Sequence, residues 1–252
     1  MANDDRQETA VDRAHRLLIE RIVTGIYPIG ADLPGERTLS KDLGVARNAL
    51  REALQRLGHN GWLEISQGRA TRVRDYLREG NLNILVELLN IDHTQTRSFV
   101  PHLLHMWSLL AHDYTAQAVR NEPNRLMERL ELYASLADNT EAATQAMWQL
   151  HRALIDYCGN VAYGLIFNSF ADFYARLATQ YYQLPQNRDR ARALWQELYQ
   201  AAAEKDTDRA AERVQAYIRS DMDYWTNLPD DDVIYGTNSE DPDNTTDEED
   251  PE

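Results

Sequence analysis

The chain has 252 residues, 43% of them apolar, one cysteine and a formal net charge of −15. That is enough apolar material for a buried core, the lone Cys158 excludes an internal disulfide, and the acidic total argues at first sight against a nucleic-acid partner. Residues 1–7 lack the basic and apolar stretches of a signal peptide, and the longest apolar run, 82–91, is interrupted by Asn83, Glu87 and Asn90 and falls short of the roughly 20 residues that cross a bilayer, so a cytoplasmic protein with no membrane partner is expected.

Taken in chain order, Val11, Ala14, Leu18 and Ile22 recur at helical spacing and predict a first helix over 6–24. Gly25 stops it, and Tyr27-Pro28-Ile29-Gly30 is a turn. A short second helix over 36–43 is entered through Pro34-Gly35 and ended by Gly44, and a third over 47–59 is closed by Asn60-Gly61. The period then changes to two: Leu63 and Ile65 alternate with Glu64 and Ser66, and beyond Gln67-Gly68, Thr71 and Val73 alternate with Arg72 and Arg74, which predicts a hairpin with a two-residue turn. Three helices and a hairpin make a winged helix-turn-helix over 1–74, followed by a linker over 75–81. From 82 to 228 the pattern is helical throughout, with helices expected near 82–91, 96–121, 123–138, 140–158, 160–183, 188–204 and 206–227. The fold class is mainly α: a winged helix-turn-helix plus an antiparallel all-α bundle. The tail over 229–252 is too polar to offset its chain entropy and is expected to be disordered.

Charge is distributed unevenly. Residues 34–74 hold 8 Lys and Arg against 4 Asp and Glu, whereas 228–252 hold 11 acidic residues and no basic one. Phosphate contact depends on the local field, so the basic segment restores a DNA partner. On the third helix Leu50, Ala53, Leu54 and Leu57 form one face, while Arg47 and Arg51 share another, flanked by Asn48 and Gln55. Arginine can fork onto guanine O6 and N7, and asparagine onto adenine N6 and N7. Arg37 can reach a phosphate or a base. At the hairpin tip stand Gln67, Gly68 and Arg69, where a glycine lets the backbone approach the minor groove. A winged helix can also serve as a protein-interaction module. No phosphate-binding glycine loop, nucleophile elbow or His-Glu-x-x-His site is found, so no catalytic residue is assigned and no enzyme is expected.

Leu33-Pro34-Gly35-Glu36-Arg37, Leu43-Gly44-Val45, Arg47, Leu50-Arg51-Glu52-Ala53-Leu54 and Leu57 resemble the GntR family of bacterial regulators. Gly61-Trp62-Leu63, Ile65, Gly68, Leu82-Asn83-Ile84-Leu85, Asp92-His93, Gly159-Asn160, Tyr163-Gly164-Leu165-Ile166, Tyr174, Tyr181, Trp225 and Asn227-Leu228-Pro229 narrow the resemblance to its FadR subfamily, over about residues 8–230. The resemblance implies a homodimer on double-stranded, palindromic operator DNA, with Arg37, Arg47, Asn48, Arg51, Gln67, Gly68 and Arg69 as the contact set. It implies a transcription regulator of fatty-acid metabolism that represses degradation genes, activates unsaturated fatty-acid synthesis genes, and is released by long-chain fatty acyl-CoA, with no cofactor. The chain departs from the pattern at Ala46 and Ala49, where hydroxyl residues are common, and at Gln67, where histidine stands.

Family members that hold a metal in the bundle use an Asp and three His; the matching positions here are Met147, His151, Trp195 and Tyr217, so no metal is expected. For the effector, the resemblance points to Tyr174, Tyr181, Tyr217 and Trp225. Asp221 lies four residues from both Tyr217 and Trp225, so it shares their inward face. Ile218 and Asp221 replace a glycine and a serine of the subfamily, and a buried carboxylate there needs a partner such as an arginine. A different effector, such as a carboxylate, is the alternative.

Overall fold

The computed structural model describes residues 8–89, 91, 99–134, 136 and 138–226. The acidic tail over 229–252, residues 1–7 and the Asp92-His93 break lie outside the described residues. The first unit opens with α1 (Ala10–Val23), which begins later than expected because Thr9 acts as its N-cap, accepting from the Asp12 amide at 3.1 Å. Helices α2 (Glu36–Asp42) and α3 (Arg47–Asn60) follow. Ala14, Leu18, Ile22, Leu39, Leu50, Ala53, Leu54 and Leu57 are all buried and form one core with Trp62, Leu63 and Val73. The leucine face of α3 is therefore fixed against α1 and α2, and its arginine face is left to solvent.

The wing is shorter in strand and longer in loop than the sequence suggests. Strand β1 (Leu63–Glu64) pairs antiparallel with β2 (Arg72–Val73), Leu63 opposite Val73. The two-residue turn is replaced by a seven-residue loop whose tip is a turn closed by Arg69 N–H to the Ser66 carbonyl at 3.2 Å. Gly68 occupies its left-handed position at φ 77°, a conformation that costs other residues steric strain. A third strand-like segment over 30–33 also pairs with β2: Gly30 donates to the Val73 carbonyl at 2.9 Å, Val73 to Ala31 at 2.9 Å and Leu33 to Thr71 at 2.7 Å. Tyr27-Pro28-Ile29-Gly30 is thus a turn leading into a sheet edge, which a segment of only a few residues does not announce by periodicity.

Ala46 is the N-cap of α3 and has no side-chain hydrogen bond, whereas Thr9, Asn139 and Asn160 each cap their own helix through a side-chain oxygen. Ala46→Thr should supply the missing acceptor for about 1 kcal/mol, a rise of roughly 2–4 °C in melting temperature for a chain this size. An unchanged or lower midpoint in calorimetry would contradict this helix start.

The segment expected as a plain linker contains one helical turn, α4 (Tyr76–Glu79), capped by Asp75. The bundle then comprises α5 (Leu82–Leu89), α6 (Phe99–Asn121), α7 (Pro123–Ala134), α8 (Thr140–Cys158), α9 (Val161–Asn168), α10 (Ala171–Tyr181), α11 (Pro185–Glu204) and α12 (Thr207–Thr226). Helix α6 packs most extensively on α12 and then on α8, and α11 lies on α7. The sequence pattern predicts one long helix over 160–183; the chain instead breaks at Ser169-Phe170 through tight amide bonds to Ile166 and Phe167. The break serves packing: Phe167 enters the main bundle core, while Phe170 and Phe173 enter a separate cluster with Leu89, Val100 and Leu103. Among the described residues, no helix is long and apolar enough to cross a membrane.

Candidate functional site

Two places bring together the residues singled out by the sequence. The first is the outer face of α2, α3 and the wing tip. Arg37, Arg47, Asn48, Arg51, Gln67, Gly68 and Arg69 are all exposed. Arg51 Nε donates to Glu36 Oε2 at 2.7 Å, a bond from α3 to α2. Both partners are well exposed, so this pair is worth ~1 kcal/mol or less and yields readily to a phosphate or a base. Among the described residues Arg37, Arg47 and Arg69 have no ion pair. Arg72, missed by the sequence reading, braces the wing by donating to the Gly30 carbonyl at 2.7 Å.

The second place is a cavity of about 90 Å³ inside the bundle. Tyr174, Tyr181, Tyr217, Asp221 and Trp225 all line it, although they come from both α10 and α12. The remaining wall is largely apolar and aromatic, including Leu103, Trp107, Trp148, Phe167, Phe170 and Phe173. Trp148 stacks on Phe167 with centroids 3.9 Å apart.

The polar part of this cavity is concentrated at Asp221. Its Oδ1 accepts from the Tyr181 hydroxyl at 2.5 Å, and Arg190 on α11 donates to that same hydroxyl oxygen at 3.1 Å while its Nη2 stands 3.9 Å from Oδ1. Arg190 is the arginine partner that the sequence left unnamed; it lies 31 positions away on another helix, beyond the reach of any periodic pattern. Tyr182, also missed, shares a hydrogen bond of 2.9 Å with the Tyr217 hydroxyl. Burial pushes the Asp221 carboxyl up to about 7, against the lowering pull of the Tyr181 hydroxyl and Arg190.

In the folded chain Asp221 keeps its proton up to near pH 7, while in the unfolded chain it releases it in the ordinary carboxylate range. The native state therefore holds the extra proton between those limits. The stability it confers is complete below the ordinary range and is lost as pH rises toward 7. Asp221→Asn should accordingly raise the melting temperature more at about pH 8 than at about pH 5. An equal change at both would show that the carboxyl titrates normally.

Met147, His151, Trp195 and Tyr217, which the family resemblance sets against metal ligands, are each held in other contacts. His151 is buried, its Nδ1 lies 2.7 Å from the Tyr114 hydroxyl, and burial lowers its pKa to about 4, so it is a neutral core histidine. The Trp195 indole N–H donates to the Met147 sulfur at 3.0 Å. Among the described residues, no three His, Cys, Asp or Glu side chains are grouped to hold a metal.

Helix α5 connects the two places. Its Ile84 and Leu88 belong to the core of the winged unit, while Leu85, Val86 and Leu89 pack in the cluster of Leu103, Phe170 and Phe173, which are cavity-wall residues. Glu87 pins the first face: Oε1 accepts from the Asn60 amide at 2.7 Å, Oε2 accepts from the Trp62 indole N–H, and His15 Nε2 lies 3.4 Å from Oε1. Arg176 of α10 donates to the Leu89 carbonyl at 3.1 Å on the other face. The sequence signalled none of this, because Glu87 reads there only as an interruption of an apolar run.

Comparison with known proteins covers both parts of the chain. Residues 10–73 match the profile of bacterial regulatory proteins of the gntR family, and residues 74–231 match that of the FadR C-terminal domain. The chain is 34% identical over 212 residues to a fatty acid metabolism regulator protein of Edwardsiella ictaluri, covering 84% of this chain and 89% of that one. It is 33% identical over 227 residues to the protein of that name from Escherichia coli, covering 88% and 95%. Among solved structures, the Listeria monocytogenes regulator Lar is similar with a TM-score of 0.54 at 16% identity, over 89% of this chain and 100% of that one, a likeness of fold.

Proposed function

The chain belongs to the GntR family of bacterial regulators, with the FadR C-terminal domain, and is a DNA-binding transcriptional regulator of fatty-acid metabolism; we propose that it holds palindromic operator DNA as a homodimer and releases it when long-chain acyl-CoA enters the bundle. The observation that carries the effector reading is the convergence of Tyr174, Tyr181, Tyr217 and Trp225 on one aromatic cavity. An acyl chain needs such walls. The recognition helix α3 would lie in the major groove with Arg47, Asn48 and Arg51 toward base edges, Arg37 toward the backbone, and the Gln67-Gly68-Arg69 tip toward the minor groove.

The cavity's size supplies the switch. At about 90 Å³ it is well below the ~300–1,000 Å³ of an occupied ligand pocket. Entry of a long chain must therefore displace side chains of the wall. Leu103, Phe170 and Phe173 are the wall residues that support α5, and α5 is tied through Glu87 to Trp62 and Asn60, beside the end of α3. An opened cavity would then favour a different seating of the winged units in the dimer, with their recognition helices wrongly spaced for successive grooves. The ligand shifts the population by as much as it prefers that state.

The protein acts as a sensor, so acyl-CoA leaves it intact. Binding to a labelled duplex carrying the operator of a FadR relative tests the DNA half, with a scrambled duplex as control at fixed salt. A large specificity ratio supports the reading, and equal affinity for both duplexes contradicts it. Thiol titration of the acyl-CoA after incubation should find no free CoA; stoichiometric release would identify a thioesterase instead.

A further inference from the structure

The cavity holds a feature that a plain hydrocarbon chain does not use. Its wall is aromatic and aliphatic from Met147, His151 and Phe167, which are nearly inaccessible, up to Asp221. Three of the nearby tyrosine hydroxyls are already engaged: Tyr181 donates to Asp221 Oδ1, and Tyr182 and Tyr217 bond to each other. Asp221 Oδ2 has no hydrogen-bond donor among the described residues, yet Asp221 lines the cavity. A methylene set against that oxygen would strip it of water and return no bond.

Position along the cavity narrows the ligand further. Arg190, whose side chain is 38% exposed, reaches inward from solvent to Tyr181 and Asp221. Asp221, its side chain 16% exposed, stands nearer solvent than Met147, His151 and Phe167. An acyl thioester enters with its hydrocarbon end inward and its polar half outward, because only the former gains by leaving water. The atoms passing Asp221 are then those close to the thioester.

We propose that the cavity prefers a long-chain acyl thioester bearing a hydroxyl on the carbon β to the thioester carbonyl, with the Asp221 carboxyl hydrogen-bonded to that hydroxyl. The inference rests on the acyl-CoA reading of the cavity and makes Asp221 its specificity-determining residue.

Isothermal titration of the full chain with palmitoyl-CoA and with each enantiomer of β-hydroxypalmitoyl-CoA tests it. Wild-type protein should bind one hydroxylated enantiomer about tenfold or more tightly than palmitoyl-CoA. Asp221→Ala should erase that preference, leaving the hydroxylated and plain ligands bound with equal affinity. Equal wild-type affinity for the hydroxylated and plain ligands overturns the inference and leaves the acyl-CoA reading standing. A preference that survives in a folded Asp221→Ala protein overturns the role of Asp221. If neither ligand binds, the acyl-CoA reading fails and the inference falls with it. The wild-type comparison decides the matter whether or not the variant folds.

Discussion

Arg47→Ala and Arg51→Ala are each expected to weaken specific operator binding by about 1–3 kcal/mol, roughly five- to 150-fold, if each arginine makes a bidentate base contact. The two side chains differ in their starting condition. Arg47 is exposed and has no ion pair among the described residues, so it is available to DNA without giving anything up. Arg51 must leave Glu36, from which it is held at 2.7 Å. Removing Glu36 should therefore strengthen DNA binding slightly and lower its salt dependence little, since a surface pair contributes about 1 kcal/mol or less. Neither arginine packs in the core, so melting temperatures should hardly move. Unchanged operator affinity in both variants, measured by anisotropy, would remove α3 from the DNA interface.

Glu87→Met should weaken the joint between α5 and the winged unit strongly. Methionine fills comparable space but accepts no strong hydrogen bond, which strands the Asn60 amide and the Trp62 indole N–H in a largely buried place. Each stranded donor costs about 1–3 kcal/mol. Glu87→Gln, which retains one acceptor oxygen, should lose about half as much. The effect on regulation is separable from the effect on stability. Well below the melting temperature, Glu87→Met should still bind acyl-CoA and operator singly, while the change in operator affinity caused by acyl-CoA shrinks. Coupling between sites is typically ~1–3 kcal/mol, so a loss of one joint is measurable. Full release of operator by acyl-CoA in a folded Glu87→Met protein would show that the signal bypasses this contact.

How much of this was legible in the sequence depended on whether the information was periodic. The winged helix-turn-helix was, because its leucines recur at helical spacing and Gly25, Gly44 and Gly61 punctuate it. The third segment of the wing, 30–33, was not, since it is too short to carry a period and gains its meaning only by pairing with β2. The break at Ser169-Phe170 has neither glycine nor proline to mark it; the need to aim Phe167 one way and Phe170 another imposes it. The aromatic members of the cavity were found through their resemblance to a family and not through spacing, which does not distinguish a ligand wall from an ordinary core. Arg190, Tyr182 and the Glu87 joint depend on contacts between distant helices. Asp221 marked itself in advance as a carboxylate on an inward face, and the structure supplied the partner that such a group requires.

Regulation depends on the link between cavity and operator, and one titration reads it directly. Fluorescence anisotropy of a labelled operator duplex bound to the full chain, at fixed salt, is followed as palmitoyl-CoA is added, with free CoA as the control. Palmitoyl-CoA should release the duplex while free CoA at the same concentration leaves it bound. Operator binding that persists at saturating palmitoyl-CoA, with binding of the ligand shown independently by calorimetry, would contradict that link.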